Sequence, residues 1–303
     1  MLRKPALKFA CAALVVGAIV LPMTVTAQPS AHYIPGLEGI KAATLPPPGL
    51  YVRDYNVAYY ADRLNDSHGN EIKAADAEAF IYANAPRLIW ITDCKLLGGY
   101  LGVDGLVPFQ YTSLEANTRS GRFDDSTFGI GDVFGEVTWS WHWTKFDAAV
   151  GYGIWGPTGD SSAELTTRAG SGFWTHMFTA GGTFYPDEGK QWAISALNRY
   201  EINSEKRDTD ITPGDAWTIE CSISRAVCPS ADLGVVAYYQ RQVEDDKGAH
   251  STPGKDWVTA VGPEVSMSIP SVAMGVSLRY LYEVAAENRL QGHTAVLTVT
   301  KRF

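Results

Sequence analysis

The chain has 303 residues, with 25 Lys+Arg against 33 Asp+Glu and a formal net charge of −8. That length allows one large β domain or two modest ones, and the acidic balance argues against nucleic acid as a partner. Its 29 glycines, 15 tyrosines and 9 tryptophans suit strands and turns with aromatic residues at an interface.

Residues 1–27 read as a secretory leader. Arg3, Lys4 and Lys8 form the positive region, 9–23 is apolar, and Val25 and Ala27 are the small residues before a cut at about Gln28. Losing those three basic residues moves the formal charge from −8 to −11. Cys11 lies too early for a lipoprotein cut. No later segment approaches the roughly 18 apolar residues of a membrane helix. The exported product is therefore either soluble or crosses a membrane as strands.

Residues 28–48 form an extended lead-in, periplasmic or lumenal, ending in the stiff run Pro46-Pro47-Pro48. A first strand is predicted over 50–62, with Tyr51, Tyr55, Val57 and Tyr59 on one face and Asp54, Asn56 and Tyr60 on the other. Arg53 interrupts the first face, where it can snorkel to lipid headgroups. Residues 62–76 carry turn residues and read as a surface loop. The second strand, 77–92, contains Pro86, which suggests a bulge or a local end to pairing. The third, 99–109, puts Leu101, Val103, Val107 and Phe109 in phase, and 110–128 reads as a second long loop.

The fourth strand, 130–143, sets Val133, Val137, Trp139, Trp141 and Trp143 against Asp132, Glu136, Ser140 and His142. Stacked tryptophans at a strand end fit an interfacial girdle, a sugar platform, or core packing. Further strands are predicted over 147–156, 172–185, 192–203, 217–225, 232–244 and 257–268. The final stretch, 271–303, holds two more, joined by 285–292. In the last, Ala295, Leu297, Val299 and Phe303 oppose Thr294, Val296, Thr298, Thr300 and Arg302.

Twelve strands result. Links after odd-numbered strands are long and polar, and those after even-numbered strands are short. Outer-membrane barrels show this asymmetry, with short periplasmic turns and long external loops. The expected fold is all-β: one closed antiparallel transmembrane β-barrel over 49–303, with both termini periplasmic.

Several stretches carry a resemblance to a known family. They are 45–51 (Leu-Pro-Pro-Pro-Gly-Leu-Tyr), 59–66 (Tyr-Tyr-Ala-Asp-Arg-Leu-Asn-Asp), 86–90 (Pro-Arg-Leu-Ile-Trp) and 151–153 with 157–159. They continue with 261–265 (Val-Gly-Pro-Glu-Val), 278–280 and 287–292 (Glu-Asn-Arg-Leu-Gln-Gly). Together they resemble the SphA-like family, the proteins named for the meta-pathway of phenol degradation. The resemblance spans nearly the whole mature chain. It implies an outer-membrane β-barrel acting as a transporter or channel, associated with breakdown of aromatic or other hydrophobic compounds. It brings no catalytic set. The chain departs from it at Cys221 and Cys228.

The charged candidates for the lumen are Asp54, Asp132, Glu136, Arg199, Glu201, Glu220, Glu264, Arg279 and Glu283. A basic group facing mid-membrane lipid costs about 2–4 kcal/mol, so an inward orientation is expected. There these residues either line a pore or pair to fill a closed barrel. Cys221 and Cys228 can flank a hairpin turn and pair in an oxidising periplasm, leaving Cys94 as a buried, inert thiol.

Enzymatic chemistry finds little support. Glu136 and His142 are roughly 20 Å apart along one strand. No Gly-x-Ser-x-Gly elbow occurs, and the six histidines lack metal-ligand spacing. Gly129-Ile130-Gly131-Asp132 leads into a strand rather than a phosphate-binding helix. The function expected is passage of small, apolar or aromatic molecules, with no enzymatic step and no cofactor. The alternatives are a structural or adhesive barrel with a plugged lumen, and a surface hydrolase. Its partners are outer-membrane lipid, a small-molecule solute, and the export and barrel-assembly machinery.

Overall fold

The computed structural model describes residues 31–73, 76–118, 121–161, 167–249, 251 and 254–303. The expected leader lies outside them. Alternating side chains produce fourteen antiparallel strands among these residues. They are β1 (Gly49–Leu64), β2 (Asp76–Leu96), β3 (Gly99–Leu106), β4 (Phe109–Thr118), β5 (Gly121–Ile130), β6 (Val133–His142) and β7 (Phe146–Gly156). There follow β8 (Thr175–Phe184), β9 (Trp192–Asn203), β10 (Ala216–Cys228), β11 (Ala231–Gln242), β12 (Trp257–Ile269), β13 (Met274–Glu287) and β14 (Leu290–Arg302).

β1 pairs with both β14 and β2, which closes the sheet. β3 pairs with β6, so twelve strands form the ring, and β4 and β5 stand out from it as an arm. Closure leaves no edge in the ring, as a bilayer requires, because unpaired backbone N–H and C=O groups find no water there.

The arm corrects the expected loop over 110–128. β4 and β5 are a hairpin in continuous register from Phe109↔Ile130 to Thr118↔Gly121. A polar sequence forms a ladder here because both faces of β5 are at least partly exposed, so neither has to be apolar.

Pro86 marks where the arm departs. Strand β2 itself runs unbroken against β1. Its other neighbour changes from β4, ending at Asn84↔Phe109, to β3, beginning at Arg87↔Leu106. Proline has no N–H to give, so the break falls in the strand beside it. Val107 N–H donates to Pro86 O at 3.2 Å, and Gly131 N–H to Pro108 O at 2.8 Å.

The links between β1 and β2, β7 and β8, β9 and β10, and β11 and β12 are long, and their described residues lie at one end of the barrel. The short turns 97–98, 143–145, 185–191, 229–230 and 270–273 lie at the other. The last link differs from expectation: the long 285–292 connection is only Asn288-Arg289, with Asn288 at φ 54°, a left-handed conformation that Asn tolerates.

The outer face is apolar. Leu88, Trp90, Val137, Leu233, Leu278 and Tyr280 are all exposed on it. Trp139 and Trp141 also point outward near the short-turn end, as a girdle would. Their indole N–H groups donate to the carbonyls of Leu96 and Leu97 at 2.8 and 3.1 Å, capping the β2–β3 turn.

The inner face mixes charged residues with apolar ones such as Ile89, Phe134, Met177, Val236 and Leu281, and on β1 the expected faces are inverted. Tyr51, Tyr55, Val57 and Ala61 are buried inside. Asp54 and Asn56 face out, where Asn84 donates to both at 2.9 and 3.1 Å. Asp54 is therefore not a lumen residue. The inner side of β1 packs on chain rather than water, so it takes the aromatic residues.

Candidate functional site

What fills the lumen is the lead-in itself. Residues 31–48 run from His32, level with the long-loop ends of β8 and β9, down to Pro48 at the short-turn end, where β1 begins. The described start of the chain and the C-terminal Phe303 thus lie at opposite ends of the barrel. Gly36 (φ 82°) and Gly39 (φ 76°) turn this segment through left-handed backbone that other residues rarely adopt.

Polar groups of the barrel wall satisfy the segment's backbone in sequence order. Glu201 accepts from the N–H groups of His32 and Tyr33, both at 3.0 Å. Glu220 accepts from Gly36 N–H at 2.7 Å, Leu37 N–H at 3.2 Å and the Tyr33 hydroxyl at 2.5 Å. Glu264 accepts from Ile40 N–H at 2.9 Å. Arg279 donates to Gly36 O at 3.0 Å and also to Leu37 O, and its Nε lies 3.1 Å from Glu264. An irregular segment buried in a barrel needs such partners, because an unpaired N–H or C=O costs about 1–3 kcal/mol.

Side chains of the segment add further anchors, among them Lys41 Nζ on Asp232 at 2.9 Å. His32 Nε2 is 2.9 Å from Asp132, its Nδ1 is 2.7 Å from Thr175 Oγ1, and its ring stacks on Trp155. Glu38 receives Arg53 Nη1 at 3.0 Å, Arg87 Nη1 at 3.1 Å, Arg199 Nη2 at 3.4 Å and the Tyr55 hydroxyl at 3.1 Å. Thr44 donates to Asp147 and Thr183 near the short-turn end. Burial pushes the Glu38 carboxyl up, but Arg53, Arg87 and Arg199 outweigh it and hold it at about 2. Burial also raises the Tyr33 hydroxyl well above its ordinary range.

Eight of the nine charges predicted for the lumen are buried within it: Asp132, Glu136, Arg199, Glu201, Glu220, Glu264, Arg279 and Glu283. Six of them touch the plugging segment through the contacts above. Glu136 instead binds Arg87 Nη2 at 2.9 Å and Thr179 at 2.8 Å. Glu283 takes the hydroxyls of Tyr59 and Tyr238 at 3.1 and 2.8 Å. Asp54, as described, faces out. Glu136 and His142 have separate partners, the latter lying 3.2 Å from Asp147.

Arg53 is a second correction. It points inward to Glu38 rather than out to headgroups. Cysteine pairing is a third. Cys221 and Cys228 are free and exposed, and they lie on the same strand, β10, seven residues and roughly 23 Å apart at the usual rise. The β10–β11 turn falls after Cys228, so they never flank it. Cys94 is likewise exposed rather than buried.

The residues that sequence reasoning did not single out are those of the segment itself, above all His32, Tyr33, Gly36, Glu38 and Gly39. Its one local signal is an acid between two glycines, Gly36-Leu37-Glu38-Gly39, ahead of the proline run.

Residues 61–299 match the family described as "Putative MetA-pathway of phenol degradation". Among solved structures, the COG4313 outer membrane channel from Pseudomonas putida F1 superposes with a TM-score of 0.77 at 14% identity, covering 89% of this chain and 100% of that one. The β domain of the Bordetella autotransporter Brka superposes with a TM-score of 0.51 at 11% identity, covering 84% and 99%. At these identities the superpositions speak for the fold. No curated protein matches the chain.

Proposed function

The chain belongs to the family described as "Putative MetA-pathway of phenol degradation", and on that premise we propose that it is an outer-membrane channel for small apolar or aromatic molecules, plugged at rest. Support comes from the closed barrel, its apolar outer face, and the named function of the Pseudomonas putida channel that shares its fold.

The observation that carries the reading is how the plug is held. Residues 31–48 are fixed to the wall by ion pairs and hydrogen bonds from Glu201, Glu220, Glu264, Arg53, Arg87, Arg199 and Arg279, beside apolar contacts of Tyr33, Leu37, Ile40 and Leu45. When the segment moves as a whole, polar contacts of this kind exchange for contacts with water, so their net contribution is smaller than the cost of deleting one partner in place. Water and solute entering the lumen can therefore replace them.

The same filled lumen favours the second reading, a structural barrel that conducts nothing. Full-length chain refolded into planar bilayers and liposomes separates the two. A channel gives discrete single-channel currents and admits small aromatic solutes into liposomes. A folded barrel that shows neither, even with the plug loosened by Gly39→Ala, rejects the channel.

A further inference from the structure

Glu38 is the one carboxylate in the lumen supplied by the plug and met by three arginines of the wall. Arg53 is on β1, Arg87 on β2 and Arg199 on β9. The cations are therefore fixed on the sheet, and the anion belongs to the segment that has to move. Arg87 keeps partners of its own in the wall, Asp104 at 2.8 Å and Glu136 at 2.9 Å. Arg53 and Arg199 have no ion-pair partner but Glu38 among the described residues. Two other carboxylates lie near Arg199: Glu220 is taken up by the Tyr33 hydroxyl and by plug N–H groups, and Glu136 by Arg87 and Thr179.

Two further observations point to a ligand. Arg199 is 4% exposed, yet its Nε and Nη1 have no hydrogen-bond acceptor; only the face of Tyr33, 4.0 Å from Cζ, lies against the guanidinium. A cavity of about 50 Å³ touches all three arginines; Leu45, Ile89 and Leu197 also line it, as do Asp104 and Glu136, both of which are paired with Arg87. Cationic donors beside an apolar lining suit a molecule with one carboxylate and an apolar body.

We infer that Arg53, Arg87, Arg199 and the Tyr55 hydroxyl form a carboxylate-binding site, occupied at rest by Glu38, at which an aromatic or aliphatic carboxylate competes with the plug. As a statement about the transported solute this rests on the channel reading; as a statement about binding it does not. When Glu38 withdraws, the half-buried Arg53 and the buried Arg199 lose the carboxylate they are paired with, which is unfavourable. A solute carboxylate restores it with bidentate geometry. Ligand entry and plug release are thereby one exchange.

The test is equilibrium binding of benzoate, with benzamide as its neutral counterpart, to the full chain in detergent by calorimetry. Glu38→Gln removes the internal competitor, so benzoate binds this variant about tenfold or more tightly than it binds the unmodified chain, while benzamide affinity is unchanged. Adding Arg199→Gln to Glu38→Gln abolishes the gain. A second readout needs no substitution. Lys41 lies in the plug, and benzoate speeds tryptic cleavage there in the unmodified chain, whereas benzamide does not.

Equal benzoate affinity with and without Glu38, or benzamide binding as tightly as benzoate, overturns the inference. So does cleavage at Lys41 that ignores benzoate. Benzoate binding without flux leaves the site standing and rejects the channel. Flux of neutral aromatics without benzoate binding does the reverse.

Discussion

Gly39 and Arg279 are packed so closely that a Cβ on the glycine would lie 2.7 Å from the guanidinium carbon, and closer still to the carboxylate of Glu264. Gly39 also has φ 76°. The Arg279–Glu264 pair, on β13 and β12, is thus a wall contact onto which the plug is pressed with no room for a side chain.

Gly39→Ala should release the plug and leave the barrel. The strained backbone alone costs about 1–3 kcal/mol, and the methyl clash adds to it. Tryptic cleavage at Lys41 should accelerate and single-channel conductance should rise, while far-UV dichroism stays that of an intact sheet. Unchanged cleavage would mean that the plug tolerates a side chain at this position.

Acid should loosen the plug in a window set by Glu38. Its carboxyl is lowered from 4.5 to about 2: burial raises it, and Arg53, Arg87 and Arg199 more than offset that. A depressed carboxyl stabilises the docked state above its free pKa, and the contribution is lost as pH falls through the docked value. Docking should therefore draw on Glu38 fully at neutral pH and lose that contribution, about 3 kcal/mol, between about pH 4.5 and 2. Conductance recorded against pH should rise across this window, and Glu38→Gln should flatten that component. An unmodified chain with the same profile as the variant would contradict the assignment.

Arg279→Met should destabilise more than Gly39→Ala. It removes the donor to Gly36 and Leu37 and leaves Glu264 buried without its cation. Breaking one side of a buried pair costs about 3–5 kcal/mol. The temperature at which the barrel loses its compact electrophoretic mobility should drop, and Arg279→Met with Glu264→Gln should recover part of the loss. No recovery in the double variant would show that the two are not coupled.

All three cysteines of the described chain should react as thiols without prior reduction. Mass after alkylation should be the same with and without reductant. In liposomes a polar maleimide should label Cys94 and Cys228, which lie at the short-turn end, and spare Cys221, which faces outward mid-strand on β10. A mass shift on reduction would restore the Cys221–Cys228 disulfide.

Much of the barrel is legible in the amino-acid sequence. In β6 and β13, lipid on one side and a charged interior on the other force successive residues to opposite chemistry. Trp139 and Trp141 therefore read correctly as outward, and Glu136 and Arg279 as inward. The arm was missed because β4 and β5 are not asked to separate polar from apolar. The tight Asn288-Arg289 turn was missed because β13 and β14 extend farther than their apolar alternation.

By itself, then, the sequence determined strand periodicity, the closed antiparallel class and most of the charges that point inward, since these follow from what adjacent residues must face. Only the tertiary structure decided that 31–48 fills the lumen, that β1 turns its tyrosines and Arg53 inward, and that Asp54 faces out. The physical reason is distance along the chain. His32, Tyr33 and Ile40 are held by carboxylates 169, 187 and 224 positions away. Local alternation reports on the solvent beside a residue, and it is silent when the surroundings of β1 are another part of the same chain.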